Sequence, residues 1–134
     1  MRFEITVGID AAPETIWDLL IDIEHWPRMT ASVTQAQRLD DGAFGKGSRV
    51  RVDQPKLQPA VWTVTEFEPG RSFVWESRTP GIVTTGAHIV TDDGVTLSLT
   101  QKGAAAPLLG LLYGRLIRRY VTMEAEGLKR LAES

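Results

Sequence analysis

Residues 104–133 read AAAPLLGLLYGRLIRRYVTMEAEGLKRLAE, the only stretch that is long and periodic enough to form one long amphipathic helix. At about 100° per residue, one arc collects mainly apolar side chains, namely Leu109, Leu112, Tyr113, Leu116, Ile117, Tyr120, Met123, Gly127 and Leu131. Pro107 suits the first turn of a helix, where its missing N–H has no partner to lose. The pattern therefore predicts a helix of about 25 residues and about 38 Å, and the upstream chain must supply the surface on which it packs.

Upstream of this helix, the sequence predicts one strand followed by two short helices. Residues 2–9 alternate polar and apolar side chains, which is typical of a strand with one buried face. Pro13 suits the first position of a short helix. A second short helical turn is predicted to be capped by Asp22 and to end near Pro27.

Between residues 31 and 103 the apolar period changes from that of a helix to that of a strand. Turns rich in Asp, Pro and Gly separate six predicted strands at about 32–40, 48–54, 60–67, 71–79, 82–91 and 95–102. Parallel neighbours would need crossovers of about a dozen residues or more. The short connections therefore predict an antiparallel meander, and the whole pattern predicts an α+β fold.

Composition and charge narrow the class of protein. The 134 residues, 43% hydrophobic and 24% charged, fit a single domain over residues 1–134. Because the chain has no cysteine and only His25 and His88 as histidines, no metal and no other cofactor is expected. No apolar run is long enough for membrane insertion and no signal peptide is visible, so a soluble cytoplasmic protein is expected.

Charge also bears on macromolecular partners. A formal net charge of −2 gives no general reason to expect a nucleic acid or an anionic membrane. A basic cluster on the polar side of the long helix is interpreted as a solvated face, and it comprises Arg115, Arg118, Arg119, Lys129 and Arg130. No nucleic-acid partner is therefore expected. The chain is expected to be a monomer or a homodimer joined through an exposed strand edge.

Several motifs carry a resemblance to a known superfamily. They are AAPETIWDLL at 11–20, Trp26-Pro27, GKGS at 45–48, and EFEPGR at 66–71 ahead of VWE at 74–76. With the order of elements, they make the whole chain resemble the SRPBCC superfamily, and within it the polyketide cyclase/dehydrase-like branch. The resemblance implies the helix-grip fold of START domains and birch-pollen-type allergens, a seven-stranded antiparallel sheet curled around the C-terminal helix. It also implies a cavity for an apolar or amphipathic small molecule, but these motifs mark a fold rather than a catalytic site.

The sheet and the long helix supply candidate ligand-binding residues. Large aromatics with polar tips can hold and orient a ring, although such side chains more often form ordinary core. The candidates are Trp62, Phe73, Trp75, His88, Leu112, Tyr113, Leu116, Tyr120 and Glu124. Trp17 and Trp26, in the predicted short helices, are expected to matter less.

Two polar residues stand out as weak catalytic candidates. Glu124 falls within the apolar arc of the long helix, where a carboxylate either pairs with an arginine from the sheet or reaches solvent by snorkelling. The functional alternative is an acid or hydrogen-bond acceptor that faces the cavity. Strand alternation places His88 on one face with Gly86 and Val90, or on the solvent face if the register slips at Gly86.

Three functions stay open on the sequence alone. The chain is expected to bind a hydrophobic or aromatic small molecule in an internal cavity, with polyketide cyclase- or dehydratase-like chemistry as one possibility. The second is a non-catalytic carrier or sensor of a lipid- or quinone-like ligand, and the third is an interaction module whose pocket is filled. Two titratable groups that converge inside the pocket would favour the enzyme.

Overall fold

A computed structural model describes residues 1–134, and its elements follow the predicted order. The helices are α1 (Pro13–Ile21), α2 (Trp26–Met29) and α3 (Ala106–Glu133), with a 3₁₀ turn at Ile23–His25 before α2. The strands are β1 (Arg2–Gly8), β2 (Gln35–Arg38), β3 (Arg49–Asp53), β4 (Ala60–Glu68), β5 (Ser72–Thr79), β6 (Ile82–Val90) and β7 (Gly94–Lys102). The predicted α+β helix-grip arrangement is confirmed.

The seven strands form one antiparallel sheet in the order β1-β7-β6-β5-β4-β3-β2. Strands β2 to β7 are sequential neighbours joined by short connections, as the meander pattern predicts. The first strand instead pairs with the last, with Arg2 opposite Thr100 and Gly8 opposite Gly94. A bulge between Val64 and Glu66 shifts the β4–β5 register.

The core lies between the inner face of the sheet, the short helices and the second half of α3. Ile16 and Leu20 of α1 and Leu128 of α3 are completely buried within it. Ala125, also completely buried, lets the α3 backbone come close to its neighbours because its side chain is small. Helix α3 packs against β1, β7, α1 and α2.

Helices α2 and α3 meet at a glycine. A Cβ on Gly127 would overlap the backbone carbonyl oxygen of Met29 and lie 2.8 Å from its carbonyl carbon. One turn away, Arg130 Nη2 donates a 2.8 Å hydrogen bond to the same Met29 oxygen. Only glycine therefore permits the observed distance between the two helices at this point.

The short helices differ from the sequence prediction in two respects. Pro27 was expected to end the second helical turn, but it lies in the first turn of α2, where a missing N–H is tolerated. Asp22 makes no side-chain capping hydrogen bond; its Oδ1 instead lies 2.7 Å from His25 Nδ1. The chain therefore continues from the 3₁₀ turn into α2 instead of stopping at Pro27.

The buried face of α3 also differs from the predicted apolar arc. Leu112 is 64% exposed and Leu116 is only half-buried. The buried positions are largely small residues, namely Ala106, Gly114, Tyr120, Val121, Ala125, Gly127, Leu128 and Ala132. The buried face of the helix is therefore rotated relative to the face expected from its leucines, and at Gly127 the close approach of α2 requires a glycine.

Candidate functional site

A pocket of about 470 Å³ lies between the inner face of the sheet and helix α3. Its volume is within the range of about 300–1,000 Å³ that is usual for small-molecule sites. The sheet contributes mainly Trp62, Trp75, His88, Leu97 and Leu99, and α3 contributes Leu109, Tyr113, Ile117, Tyr120, Val121 and Glu124. The remaining wall includes the connection between β3 and β4.

One wall of the pocket is built from tryptophans. The Trp75 ring centroid lies 5.4 Å from that of Trp62 and 5.4 Å from that of Trp26. Gly86, on the neighbouring strand, makes room for this arrangement, because a Cβ there would lie 2.9 Å from Trp75 Nε1. The wall is therefore a broad aromatic surface against which a flat ring can stack.

His88 is buried on the same inner face. Its ring stacks on Phe73 with a centroid separation of 4.2 Å and an interplanar angle of 14°, and Trp75 meets it edge-on. His88 Nδ1 lies 3.3 Å from the Phe73 carbonyl oxygen. Because a carbonyl oxygen only accepts hydrogen bonds, this contact places a proton on Nδ1 and leaves Nε2 facing the pocket side.

Glu124 of α3 meets His88 across the pocket. Glu124 Oε1 lies 3.6 Å from His88 Nε2, and the two side chains are 16% and 6% exposed. The same Glu124 oxygen is buried and accepts no hydrogen bond. Since Nδ1 carries a proton, a second proton on Nε2 would make the His88 ring a cation that forms an ion pair with the Glu124 carboxylate. A proton on Glu124 would instead face the lone pair of Nε2. The pair can therefore hold a proton at the pocket wall.

A second buried acceptor lies elsewhere on the wall. Gln101 of β7 is almost completely buried, and its Oε1 has no hydrogen-bond partner. Unpaired polar atoms in such positions are costly, and a ligand that brings a donor would remove that cost. The pocket wall is thus mainly apolar and carries two buried oxygen atoms without a hydrogen-bond partner, one on Glu124 and one on Gln101.

The β3–β4 connection is held across one side of the pocket. Tyr120 donates a 2.6 Å hydrogen bond from its hydroxyl to the Pro55 carbonyl oxygen. Gln54 Nε2 donates a 3.2 Å hydrogen bond to the Ser32 carbonyl oxygen. Lys56 has a positive φ of 66°, which a lysine rarely adopts. The hydrogen bonds of Tyr120 and Gln54 attach this connection to α3 and to the segment before β2.

The structure brings six of the nine candidate ligand-binding residues together on the pocket wall. They are Trp62, Trp75, His88, Tyr113, Tyr120 and Glu124. Of the two orientations expected for His88, the structure shows the buried one, in which His88 lies on the same inner face of β6 as Gly86 and Val90. Whether any of these residues touches a ligand stays a prediction.

Three candidates do not reach the pocket, and their placement corrects the expectation. Phe73 is completely buried behind His88, so it supports the wall without forming it. Leu112 is exposed and Leu116 does not line the pocket, because α3 is rotated away from the predicted arc.

Among the wall residues that the sequence analysis did not select, two matter most for the site. Trp26 was expected to matter little, yet it lines the pocket and touches both Trp75 and His88. Its Nε1 donates a 3.1 Å hydrogen bond to the Leu20 carbonyl oxygen, which fixes the ring orientation. Gln101 is the second of these wall residues. Strand alternation places Gln101 on the same face of β7 as Leu97 and Leu99, and this alternation is the only sequence signal that could have indicated it.

Comparisons with known proteins agree with this architecture. A family model described as "Polyketide cyclase / dehydrase and lipid transport" matches residues 1–133. A search of curated proteins by sequence gave no match.

Solved structures with this fold include an aromatase/cyclase, Zhui from Streptomyces sp. R1128, at a TM-score of 0.77 and 16% identity over 99% of this chain and 93% of that one. Major latex-like protein 151 from Panax ginseng aligns at a TM-score of 0.76 and 16% identity, over 98% of this chain and 97% of that one. The di-domain ARO/CYC BexL from the BE-7585A biosynthetic pathway aligns at a TM-score of 0.73 and 15% identity, over 100% of this chain and 48% of that one. These likenesses concern the fold, and with the family match they lead to one conclusion: the chain belongs to the polyketide cyclase/dehydrase and lipid transport family.

Proposed function

We propose that this chain binds an apolar or aromatic small molecule in the pocket between the sheet and α3. The observation that carries the proposal is the tryptophan wall of Trp26, Trp62 and Trp75 beside the buried pair His88 and Glu124. Simple core formation does not require a carboxylate with an unpaired oxygen next to three indoles. A ring stacked on the indoles and donating a hydrogen bond to Glu124 would satisfy both features.

Adjacent positions on β6 allow a matched test of binding. Thr84 lines the pocket, whereas Thr85, the next residue on the strand, is not part of its wall. Thr84→Trp would fill pocket volume, and Thr85→Trp would place the same side chain outside it. The probes are 1-N-phenylnaphthylamine and the flavonoid naringenin.

We expect micromolar binding with quenching of tryptophan emission, because three of the four tryptophans lie on the wall. Thr84→Trp should weaken probe binding at least about tenfold, and Thr85→Trp should leave it unchanged. If neither probe binds, or if both variants lower affinity equally, the pocket is not the binding site. The interaction-module alternative would then be favoured.

Cyclase- or dehydratase-like proton transfer is a second candidate, and the convergence of His88 with Glu124 favours it over simple carriage. Cyclisation and dehydration of a polyketide-like chain both begin by removing a proton from a carbon next to a carbonyl group. A Glu124 carboxylate can accept that proton, and a doubly protonated His88 can stabilise the oxygen on which negative charge develops. The tryptophan wall would hold the reacting chain in a folded conformation.

A chemical probe separates the enzyme from the carrier. The test follows exchange of the methyl protons of 2′,4′-dihydroxyacetophenone in D₂O by NMR. An enzyme should accelerate exchange, and Glu124→Gln should remove most of that acceleration while the ketone still binds. His88→Gln is the companion variant, because it removes the second titratable group. Binding without any acceleration by the unmodified protein would support the carrier alternative.

Three further expectations stay predictions from the sequence. They are a single domain over residues 1–134, a cytoplasmic location, and a monomeric or homodimeric state. Size-exclusion chromatography with light scattering measures the last of these directly.

A further inference from the structure

The first half of α3 presents an apolar patch to solvent. Leu108, Leu111 and Leu112 are 60%, 82% and 64% exposed. The patch lies next to the pocket, because Leu109 and Tyr113, on the adjoining side of the same helix turns, line the pocket wall. Three leucines exposed to this extent on one helix segment indicate a surface with an interaction partner.

Basic residues continue this patch along the helix. Arg115, Arg118 and Arg119 follow Leu108, Leu111 and Leu112 at a spacing of seven residues, which returns each to nearly the same side of the helix. All three arginines are exposed, and none forms an ion pair with a carboxylate.

The surrounding sequence lacks compensating acidic residues. From residue 94 to residue 123 there is no Asp and no Glu, while Lys102 and the three arginines are present. The chain as a whole has a formal charge of −2, so positive charge is concentrated around the leucine patch.

We propose that this face of α3, defined by Leu108, Leu111, Leu112, Arg115, Arg118 and Arg119, docks on the surface of an anionic phospholipid bilayer. A helix lying in the interfacial plane inserts apolar side chains below the headgroups and places basic residues among them, which is the arrangement seen here. No helix of the structure is long and apolar enough to cross a membrane, so the contact is peripheral.

Charge argues against a second copy of the chain as the occupant. A two-fold contact through this face would enclose the arginines of both copies in one interface, since such an interface pairs a patch with itself. The segment offers no carboxylate to neutralise them. An anionic bilayer supplies both the apolar layer and the opposite charge.

The docking is tested without any pocket ligand, so it stands or fails separately from the proposed small-molecule binding. The unmodified protein is sedimented with vesicles of phosphatidylcholine alone and of phosphatidylcholine with about 30% phosphatidylserine. We expect binding to the anionic vesicles, weak or no binding to the neutral ones, and loss of binding as salt is raised from 0.1 to 0.5 M.

Three variants locate the contact. Leu108→Gln/Leu111→Gln/Leu112→Gln removes the apolar patch, and Arg115→Gln/Arg118→Gln/Arg119→Gln removes three basic groups. Each surface arginine is worth about fivefold in affinity for an anionic membrane, so the arginine variant should bind on the order of 100-fold more weakly. Lys46→Gln/Arg28→Gln/Arg71→Gln removes three exposed basic residues outside α3 and should bind nearly as the parent does. Melting temperatures establish that each variant is folded.

Several results would overturn the proposal. They are no binding of the parent to anionic vesicles, equal binding to neutral ones, or equal weakening by the control variant. Light scattering gives a further contradicting outcome. If the parent is a dimer and the leucine variant is a monomer, a second copy of the chain covers the patch. Retention of vesicle binding by the leucine variant would show that the apolar patch takes no part.

Discussion

Replacing Gly127 by alanine tests whether α3 is held at its present distance from α2. In the structure a Cβ at this position would overlap the Met29 carbonyl oxygen and lie 2.8 Å from the carbonyl carbon. Carbon atoms in ordinary contact are about 3.5–4.0 Å apart. The obstacle is backbone, which cannot rotate away as a side chain can, so the helices must separate by about 1 Å.

The cost of this separation has three parts. Overpacking costs about 1–3 kcal/mol. The hydrogen bond from Arg130 to the same Met29 oxygen would lengthen or break, and since Arg130 is exposed we take about 0.5–1 kcal/mol for it. Alanine recovers about 1 kcal/mol through its higher helix propensity. The net expectation is a loss of about 2 kcal/mol, equivalent to roughly 6–10 °C in Tm for a chain of this size.

Gly110→Ala provides the matched control in the same helix. A Cβ there would meet only the Met1 side chain, at 3.5 Å, which is an ordinary contact. This variant should be as stable as the parent or more stable by up to about 1 kcal/mol. Thermal and urea unfolding followed by circular dichroism measure both variants. If Gly127→Ala is as stable as Gly110→Ala, the close approach of α2 and α3 is not what the structure indicates.

Three further predictions concern stability. Leu128→Ala should lower the free energy of unfolding in urea by about 2–5 kcal/mol, because Leu128 is completely buried. Leu116 is only half-buried, so Leu116→Ala should cost about 1 kcal/mol or less. Equal costs for the two variants would contradict the rotation of α3. The backbone N–H of Arg49 donates a hydrogen bond to Asp40 and lowers the pKa of that carboxyl. A carboxyl whose pKa is lower in the folded state than in the unfolded state stabilises the fold above the unfolded pKa, and this stabilisation is lost as the pH falls through the folded pKa. Asp40→Asn should therefore lower Tm at pH 7, and the difference from the parent should shrink as the pH falls through the folded pKa. A difference in Tm that does not depend on pH would exclude the Asp40 carboxylate as its cause. Tyr120→Phe removes the hydrogen bond to the β3–β4 connection. Amide hydrogen exchange at residues 54 and 56–58 should therefore accelerate, while β6 exchanges at its original rate.

The sheet was the part of the fold most accessible to prediction from sequence. Alternation and turn residues determine strand boundaries locally, so the predicted strands agree with the observed ones within a few residues except at β2, which is shorter. The same alternation correctly grouped His88 with Gly86 and Val90. The alternative register of β6, with a slip at Gly86, is not observed. The β5–β6 pairing runs regularly from Ser72 opposite Ile89 to Thr79 opposite Ile82.

The orientation of α3 was less predictable. A helical wheel weights leucines heavily, and here it centred the buried arc on a side that includes Leu112 and Leu116. The structure rotates the buried face by somewhat less than one residue step of about 100°, toward Ala125, Leu128 and Ala132. Close packing against α1 and α2 favours small residues, and this preference depends on tertiary contacts that periodicity does not contain.

The pairing of His88 with Glu124 was also outside the reach of the sequence. Each residue was singled out separately, one by strand alternation and one by its place on the helix. Their separation of 3.6 Å depends on how α3 is rotated over the sheet. Trp26 was underestimated for a related reason, since α2 is short and its contact with Trp75 follows from packing rather than local pattern.

The pairing of β1 with β7 has a consequence for how the chain acquires its structure. Arg2 finds its strand partner at Thr100, and Lys129 of α3 donates to the Gly8 carbonyl oxygen from still further along the chain. Hairpins from β3 to β7 can form between sequence neighbours, but β1 must wait for the final strand, and contacts of such long separation slow folding. At a synthesis rate of about 5–20 residues per second, the first strand waits roughly 5–20 s on the ribosome before its partner exists. During that interval the apolar face of β1 is unpaired, so β1 stays open to chaperones until β7 has been synthesised.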